Sequence, residues 1–339
     1  MEKNKKYMEK TKKNKRKNIG KKTRIILTLF FFLFIIFILL RVAEIKSLIR
    51  ILTKINPFWL ILAIFIQYLS FLIMSIFMHE MLLDMKTKIK ISFLTKLNIA
   101  ASFVDVVLPS QGISAGVFIF KLLGKQNISK GKRAILLFFT FIINYFVYFL
   151  LLIISTIYFY LYFKNLEITI GLSLFLLILF LFFLFFVFIF LKDENFIIKT
   201  FDRLPLKFIN RFIKDFENRG REVLIEFYKE RKKYKFDFYR YGLLMFLSYI
   251  CRILVLFFIA LSLNYNLSFD KAIIAFMFSS FISLVSYIKL GFFELGLVIA
   301  LLGVGIEYNL ALTTTLLFRL VSFWIPFVFG YIFFRKIMR

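Results

Sequence analysis

The chain has 339 residues, is 61% hydrophobic and carries a formal net charge of +28. That apolar share is far above the roughly 45–50% of soluble domains, and runs such as Leu172–Leu191 contain no charge at all. A soluble globular protein is therefore excluded. A single cysteine, Cys251, excludes an intramolecular disulfide and a cysteine-cluster metal centre, and a single histidine, His79, excludes a histidine-rich one.

Residues 1–24 hold twelve Lys/Arg against two Glu, and Ile25 opens an apolar run. The basic stretch is too long for a signal peptide, and no small-residue cleavage site follows. It reads as a cytoplasmic tail lying against anionic headgroups, followed by an uncleaved first span over 25–40. Residues 41–56 mix Arg41, Lys46, Arg50 and Lys54 with Ile and Leu at helical spacing, which predicts a short interfacial helix. A second span is expected over Pro57–Met78. His79 and Glu80 would then open a return to the cytoplasm that ends at Lys90, with His79 as an interfacial polar residue.

A broken apolar stretch comes next. Ser92–Leu108 and Gly112–Leu123 flank the break Leu108-Pro109-Ser110-Gln111-Gly112. At 1.5 Å per residue they are roughly 25 Å and 18 Å long, each short of a bilayer core of about 30 Å. Basic residues flank both outer ends, so a hairpin of two half-helices entering and leaving on the cytoplasmic side is predicted. Full spans are expected over 134–162 and 168–191. The connection 192–240 holds fourteen Lys/Arg and nine Asp/Glu. Within it Leu206, Ile209, Ile213, Phe216, Val223 and Phe227 recur at three- and four-residue steps, the pattern of an amphipathic helix on the inner leaflet or the bundle base.

A fifth span is expected over 241–261. A second broken pair follows, over 272–288 and 292–303, around Lys289-Leu290-Gly291, and a sixth span over 310–334. The fold class is thus all-α: a polytopic integral membrane protein with about six full spans and two re-entrant broken-helix pairs. The two halves, 57–162 and 241–334, form an inverted repeat around the 192–240 connection. Both termini are cytoplasmic by the positive-inside rule, which places the protein in a bacterial inner membrane. Interrupted segments in matching places of two halves point to a transport site.

Ionisable residues at membrane depth are costly and face a partner or a cavity. Asp105, Arg252, Lys289, Glu294 and Arg319 qualify. One reading is internal pairing, such as Glu294 with Arg319. The other is a polar, mostly cationic pocket for an anionic headgroup. Arg suits a phosphate through its planar fork, and half-helix N-termini at Gly112 and Gly291 would offer free N–H groups. Pro109, Ser110, Gln111 and Ser114 complete the expected substrate-binding set. No GxxxxGK[ST] loop, no H-E-x-x-H and no G-x-S-x-G occurs, and no extramembrane segment has room for a soluble catalytic domain. No metal or cofactor is expected, and no nucleic-acid partner, since the positive charge lies outside the spans.

The stretch Leu108-Pro109-Ser110-Gln111-Gly112 to Gly116, with Leu122-Leu123-Gly124 and Ile128-Ser129 after it, resembles the first signature of the flippase-like membrane domain of lysylphosphatidylglycerol synthases. Gly291-Phe292-Phe293-Glu294, Ala300-Leu301-Leu302-Gly303-Val304-Gly305, Phe318-Arg319-Leu320, Trp324-Ile325-Pro326 and Gly330 are similar to its C-terminal signature. The resemblance covers roughly residues 20–335 and omits the soluble aminoacyltransferase domain. It implies a lipid translocator that moves an anionic or aminoacylated phospholipid, or a polyprenyl-phosphate-linked lipid, between leaflets. The alternatives are an integral-membrane transferase acting on lipid-linked substrate, with Asp105 or Glu294 as base, and a membrane partner of a separate lipid synthase or glycosyltransferase.

Overall fold

A computed structural model describes residues 55–108, 112–163, 166–192, 197, 214–285 and 289–338. Every regular element among them is helical. In chain order they are α1 (Pro57–Asp84), α2 (Ile91–Val107), α3 (Ile113–Gly124), α4 (Lys130–Phe163), α5 (Leu166–Lys192), α6 (Lys214–Arg231), α7 (Phe238–Ser262), α8 (Phe269–Val285), α9 (Lys289–Gly303), α10 (Tyr308–Arg319) and α11 (Ile325–Met338). Five helical stretches are long and apolar enough to cross a membrane: α1, most of α4, Ser173–Lys192 of α5, α7, and the run Tyr308–Met338. They match the second to sixth expected spans. The first span, the tail and nearly all of the interfacial helix lie outside the described residues.

Antiparallel packing of α1 on α7 forms the spine. At one end Asn56 N donates to Ser262 O at 2.8 Å, and Trp59 stacks on Phe258 with ring centres 5.6 Å apart. At the other end the Arg240 guanidinium bridges Glu80 at 2.9 Å and Asp84 at 2.7 Å, and Tyr241 Oη donates to Asp84. Between the ends, small polar residues let the backbones approach, as membrane helices require. Ser248 Oγ donates to Ser70 O at 3.4 Å, and Asn98 of α2 donates to Ser75 Oγ at 2.9 Å.

This clamp corrects the expected end of the second span. His79–Asp84 continue the helix, because Met81 and Leu82 are fully buried and the two acidic residues face Arg240. The chain turns only at Met85–Lys90, where Lys86 takes a left-handed φ of 53°. His79 Nδ1 lies 2.7 Å from Ile89 O, which ties the turn back to the helix. Arg240→Ala is expected to leave Glu80 and Asp84 without their cationic partner. The arginine is partly exposed, so the loss should be about 1 kcal/mol, read as a lower melting temperature in detergent with no change in helix content.

Both broken pairs are hairpins of half-helices, and their ends are fixed by hydrogen bonds. Lys132 at the start of α4 donates to Thr87 before α2 at 3.0 Å, so α2–α3 enters and leaves at the basic end. Tyr265, before α8, bonds Thr314 of α10 at 2.7 Å, so α8–α9 enters and leaves at the opposite end. The order long helix, hairpin, long helix thus occurs twice in opposite senses, with α5 and α6 between. In the first half it is α1, α2–α3, α4. In the second it is α7, α8–α9, α10–α11.

The sixth span is not a continuous α-helix. Leu320–Trp324 form a π-helical turn, closed by Ile325 N donating to Leu320 O. Pro326, two residues past the turn, supplies the cause. It has no N–H, and its ring would strike the carbonyl four residues back in an unbroken α-helix. Such bulges occur often at functional sites, and this one follows directly on Arg319.

α6 docks on the start of α4 and the end of α5, at one end of the bundle. Glu222 pairs with Lys130 at 2.7 Å, Glu226 accepts from Gly131 N at 3.1 Å, and Tyr228 Oη donates to Phe190 O at 2.7 Å. Phe227 is 2% exposed, as its place in the apolar pattern required. Leu206, Ile209 and Ile213 of that pattern lie outside the described residues. At the end of α6 the hydrogen bond from Lys233 holds the Glu230 carboxyl below the usual carboxylate range.

Candidate functional site

The two hairpin tips share one device. Gly112 caps α3 with a left-handed φ of 94°, and its N–H donates to Asp105 Oδ1 of α2 at 2.7 Å. Gly291, near the start of α9, has a φ of 92°, and its N–H donates to Glu294 Oε2 at 2.9 Å. Each returning half-helix therefore begins at a glycine whose N–H is held by a carboxylate. These two N–H groups are not free, in contrast to the sequence-based expectation. A Cβ at either glycine would meet nothing within 4 Å. Backbone conformation, not close approach, is what requires glycine at these two positions.

Ser114 adds to the first tip, with Oγ 2.8 Å from Leu108 O and 3.4 Å from Asp105 Oδ1. Pro109, Ser110 and Gln111 lie outside the described residues. So does the side chain of Lys289, whose backbone opens α9.

Glu294 joins the second tip to α10. Its Oε1 lies 2.5 Å from Arg319 Nε. The Nε–H is buried and not aligned on an acceptor, so the contact is an ion pair rather than a well-directed hydrogen bond. The guanidinium also faces the rings of Phe293 at 4.9 Å and Phe323 at 5.2 Å. Aromatic faces attract a cation at such distances, and the π-helical turn supplies one of them. Arg252 sits apart, 5.2 Å from the Tyr249 ring centre and without a carboxylate partner among the described residues.

Where the two hairpins meet α4 and α7, a cavity of about 500 Å³ opens. Gly112, Ile113 and Gly116 line it from the first hairpin, and Ser280, Ser283 and Leu284 from the second. Mid-helix side chains form the rest of the wall: Thr140, Asn144, Tyr145 and Tyr148 of α4, and Tyr249 of α7. Tyr249 Oη donates to Asn144 Oδ1 at 3.2 Å. Tyr148 is 5% exposed, and its buried hydroxyl has no hydrogen-bond partner among the described residues. An orphaned buried hydroxyl costs about 1–3 kcal/mol.

Of the sequence-predicted candidates, Gly112 lines this cavity and Asp105 and Ser114 hold its tip. Gly291, Glu294 and Arg319 form their own cluster on α9 and α10, and Arg252 reaches the wall only through the Tyr249 ring. No charged side chain lines the cavity among the described residues. The tyrosines and Thr140 were missed because neutral polar residues in an apolar span read as lipid-facing or interfacial. The available signal was Asn144, an amide at the centre of a span, where an unpaired polar group is costly.

The hairpins, the cavity and the Glu294–Arg319 pair all fall within one matching stretch. Residues 25–330 match the lysylphosphatidylglycerol synthase TM region. The chain belongs to this family. No curated protein matches the sequence. The described residues contain no group of three or more His, Cys, Asp or Glu able to hold a metal, and Cys251 is buried.

Proposed function

We propose that this protein translocates lipids between leaflets. The observation that carries the reading is the meeting of two oppositely inserted hairpins at one mid-bundle cavity. Many transporters alternate access by moving two inverted halves around a central site, and two oppositely inserted hairpins beside one cavity support that reading. The substrate class is an anionic or aminoacylated phospholipid, or a polyprenyl-phosphate-linked lipid, with its tails left in the bilayer. Membrane lipids with anionic headgroups, and a separate lipid synthase, are the proposed partners. The transferase alternative is less well supported, because Asp105 and Glu294 are both engaged in holding glycine N–H groups.

Purified protein in vesicles carrying fluorescent lipid is expected to expose inner-leaflet label to an external quencher faster than protein-free vesicles do. Equal rates would overturn the reading. The basic end is proposed to face the cytoplasm of a bacterial inner membrane, by the positive-inside rule. In a Cys251→Ser background, Gln126→Cys should label only from the cytoplasmic side and Glu307→Cys only from outside. Both positions are exposed, in turns at opposite ends of the bundle. The reverse pattern would invert the topology.

A further inference from the structure

We infer that Arg252 receives the phosphate of the translocated lipid. The inference rests on the translocator reading for its ligand, and it narrows the substrate to lipids that carry a phosphate. Arg252 lies about 21 Å along α7 from Phe238, past the middle of a 25-residue helix. An arginine at that depth is costly and faces a partner or a cavity. Its place on the helix decides which way it faces. Met245, Ser248, Tyr249, Val255, Leu256 and Ile259 stand three, four or seven residues from it and share its side of the helix. All six are buried, whereas Leu243 and Leu247, on the opposite side, are exposed. Arg252 therefore points into the bundle, yet it is only half-buried.

The cavity between the hairpins is the space beside it. Tyr249, one turn before Arg252, lines that cavity, and the guanidinium lies 5.2 Å from the Tyr249 ring centre. A helical side chain covers the turn that precedes its own Cα. That lean carries Arg252 toward the basic end and over this wall.

The donors of Arg252 are uncommitted. The ring contact engages the positive charge and uses no N–H. Among the described residues Arg252 has neither an ion pair nor a hydrogen bond, and its nitrogens are not among the buried unpaired atoms. The tip segments 109–111 and 286–288 contain no Asp or Glu, so neither tip brings a carboxylate to it. Arg319 differs, because Glu294 meets its charge at 2.5 Å. Two parallel N–H groups of a guanidinium fit two oxygens of one phosphate. A lipid phosphodiester supplies those oxygens and one negative charge, whatever the headgroup beyond it.

The test uses the full-length protein, first in a neutral detergent. Dihexanoyl-phosphatidylglycerol is expected to raise the melting temperature of the wild type. Arg252→Gln should lose that rise, and without lipid it should melt no lower than the wild type, since it gives up no ion pair. Arg252→Lys keeps the charge but not the fork, and should keep part of the rise. An equal rise with inorganic phosphate would overturn the lipid assignment, and an undiminished rise in Arg252→Gln would overturn the inference. In vesicles, the wild type is expected to move fluorescent phosphatidylglycerol faster than fluorescent glucosylceramide. Arg252→Gln should slow phosphatidylglycerol alone, by about tenfold, the size of one charge-assisted hydrogen bond. Equal slowing of both lipids would mark a structural role and overturn the inference. A rise that depends on Arg252, with no movement of either lipid, would keep the phosphate site and overturn the translocator reading. Phosphatidylglycerol movement unchanged by Arg252→Gln would do the reverse.

Discussion

Arg319→Ala is expected to destabilise the protein by about 2 kcal/mol and to stop lipid translocation. Breaking a buried ion pair costs about 3–5 kcal/mol, chiefly because the surviving charge is left uncompensated. Water reaches part of Glu294, whose side chain is 27% exposed against 16% for Arg319, so a lower figure applies here. The double variant Glu294→Gln with Arg319→Ala should recover most of the lost stability. It removes the stranded charge, and the amide oxygen can still accept from Gly291 N–H. Arg319→Lys keeps the charge but loses the planar group that lies between Phe293 and Phe323. It should melt near the wild type and translocate about tenfold more slowly. Melting in detergent and translocation in vesicles read the two effects separately. Wild-type translocation by the double variant would show that the pair only fastens α9 to α10.

Gly330→Ala should be a strongly damaging single-methyl addition. A Cβ there would lie 2.6 Å from Ile99 O and 2.7 Å from Phe103 Cβ. The first contact is with backbone of α2, so relief requires the two helices to separate. Separation would also loosen Phe103 from the rings of Phe327, Tyr331 and Phe334, which lie 5.0 to 5.6 Å from it. Overpacking of this kind costs about 1–3 kcal/mol, and the upper end is expected here. Gly303→Ala is the control. It adds the same methyl near a helix end with nothing within 4 Å, so its melting temperature should be unchanged or slightly raised. Equal tolerance at both positions would mean that α2 and α11 are not in close contact in the membrane.

The positions of Gly330 and Arg319 show how legibility divided between sequence and structure. Gly330 stood in the sequence as part of a family-like signature, and nothing local tells that its missing side chain is filled by Ile99, over 200 residues earlier. Arg319 was legible as costly, and Glu294 as a possible partner, because a charge in an apolar span has few options. The aromatic faces that hold the guanidinium were not. One of them, Phe323, is placed by the π-helical turn, whose cause, Pro326, was visible in an apolar run that otherwise suggested a continuous helix.

By itself the sequence determined the all-helical class, the five spans among the described residues and the two breaks. These follow from hydrophobic length, Pro and Gly, each acting within a few residues of itself. The charge pattern gave the order of the halves and the side expected for each hairpin. Only the tertiary structure decided what the breaks are for. It turned Asp105 and Glu294 onto glycine N–H groups, which a linear reading had left free for phosphate. It also gathered Thr140, Asn144, Tyr148, Tyr249 and Ser280 from three helices onto one cavity wall. Lipid-facing and cavity-facing positions of a membrane helix are both compatible with apolar composition, so periodicity cannot separate them. Only the packing of one helix on another assigns each face its environment.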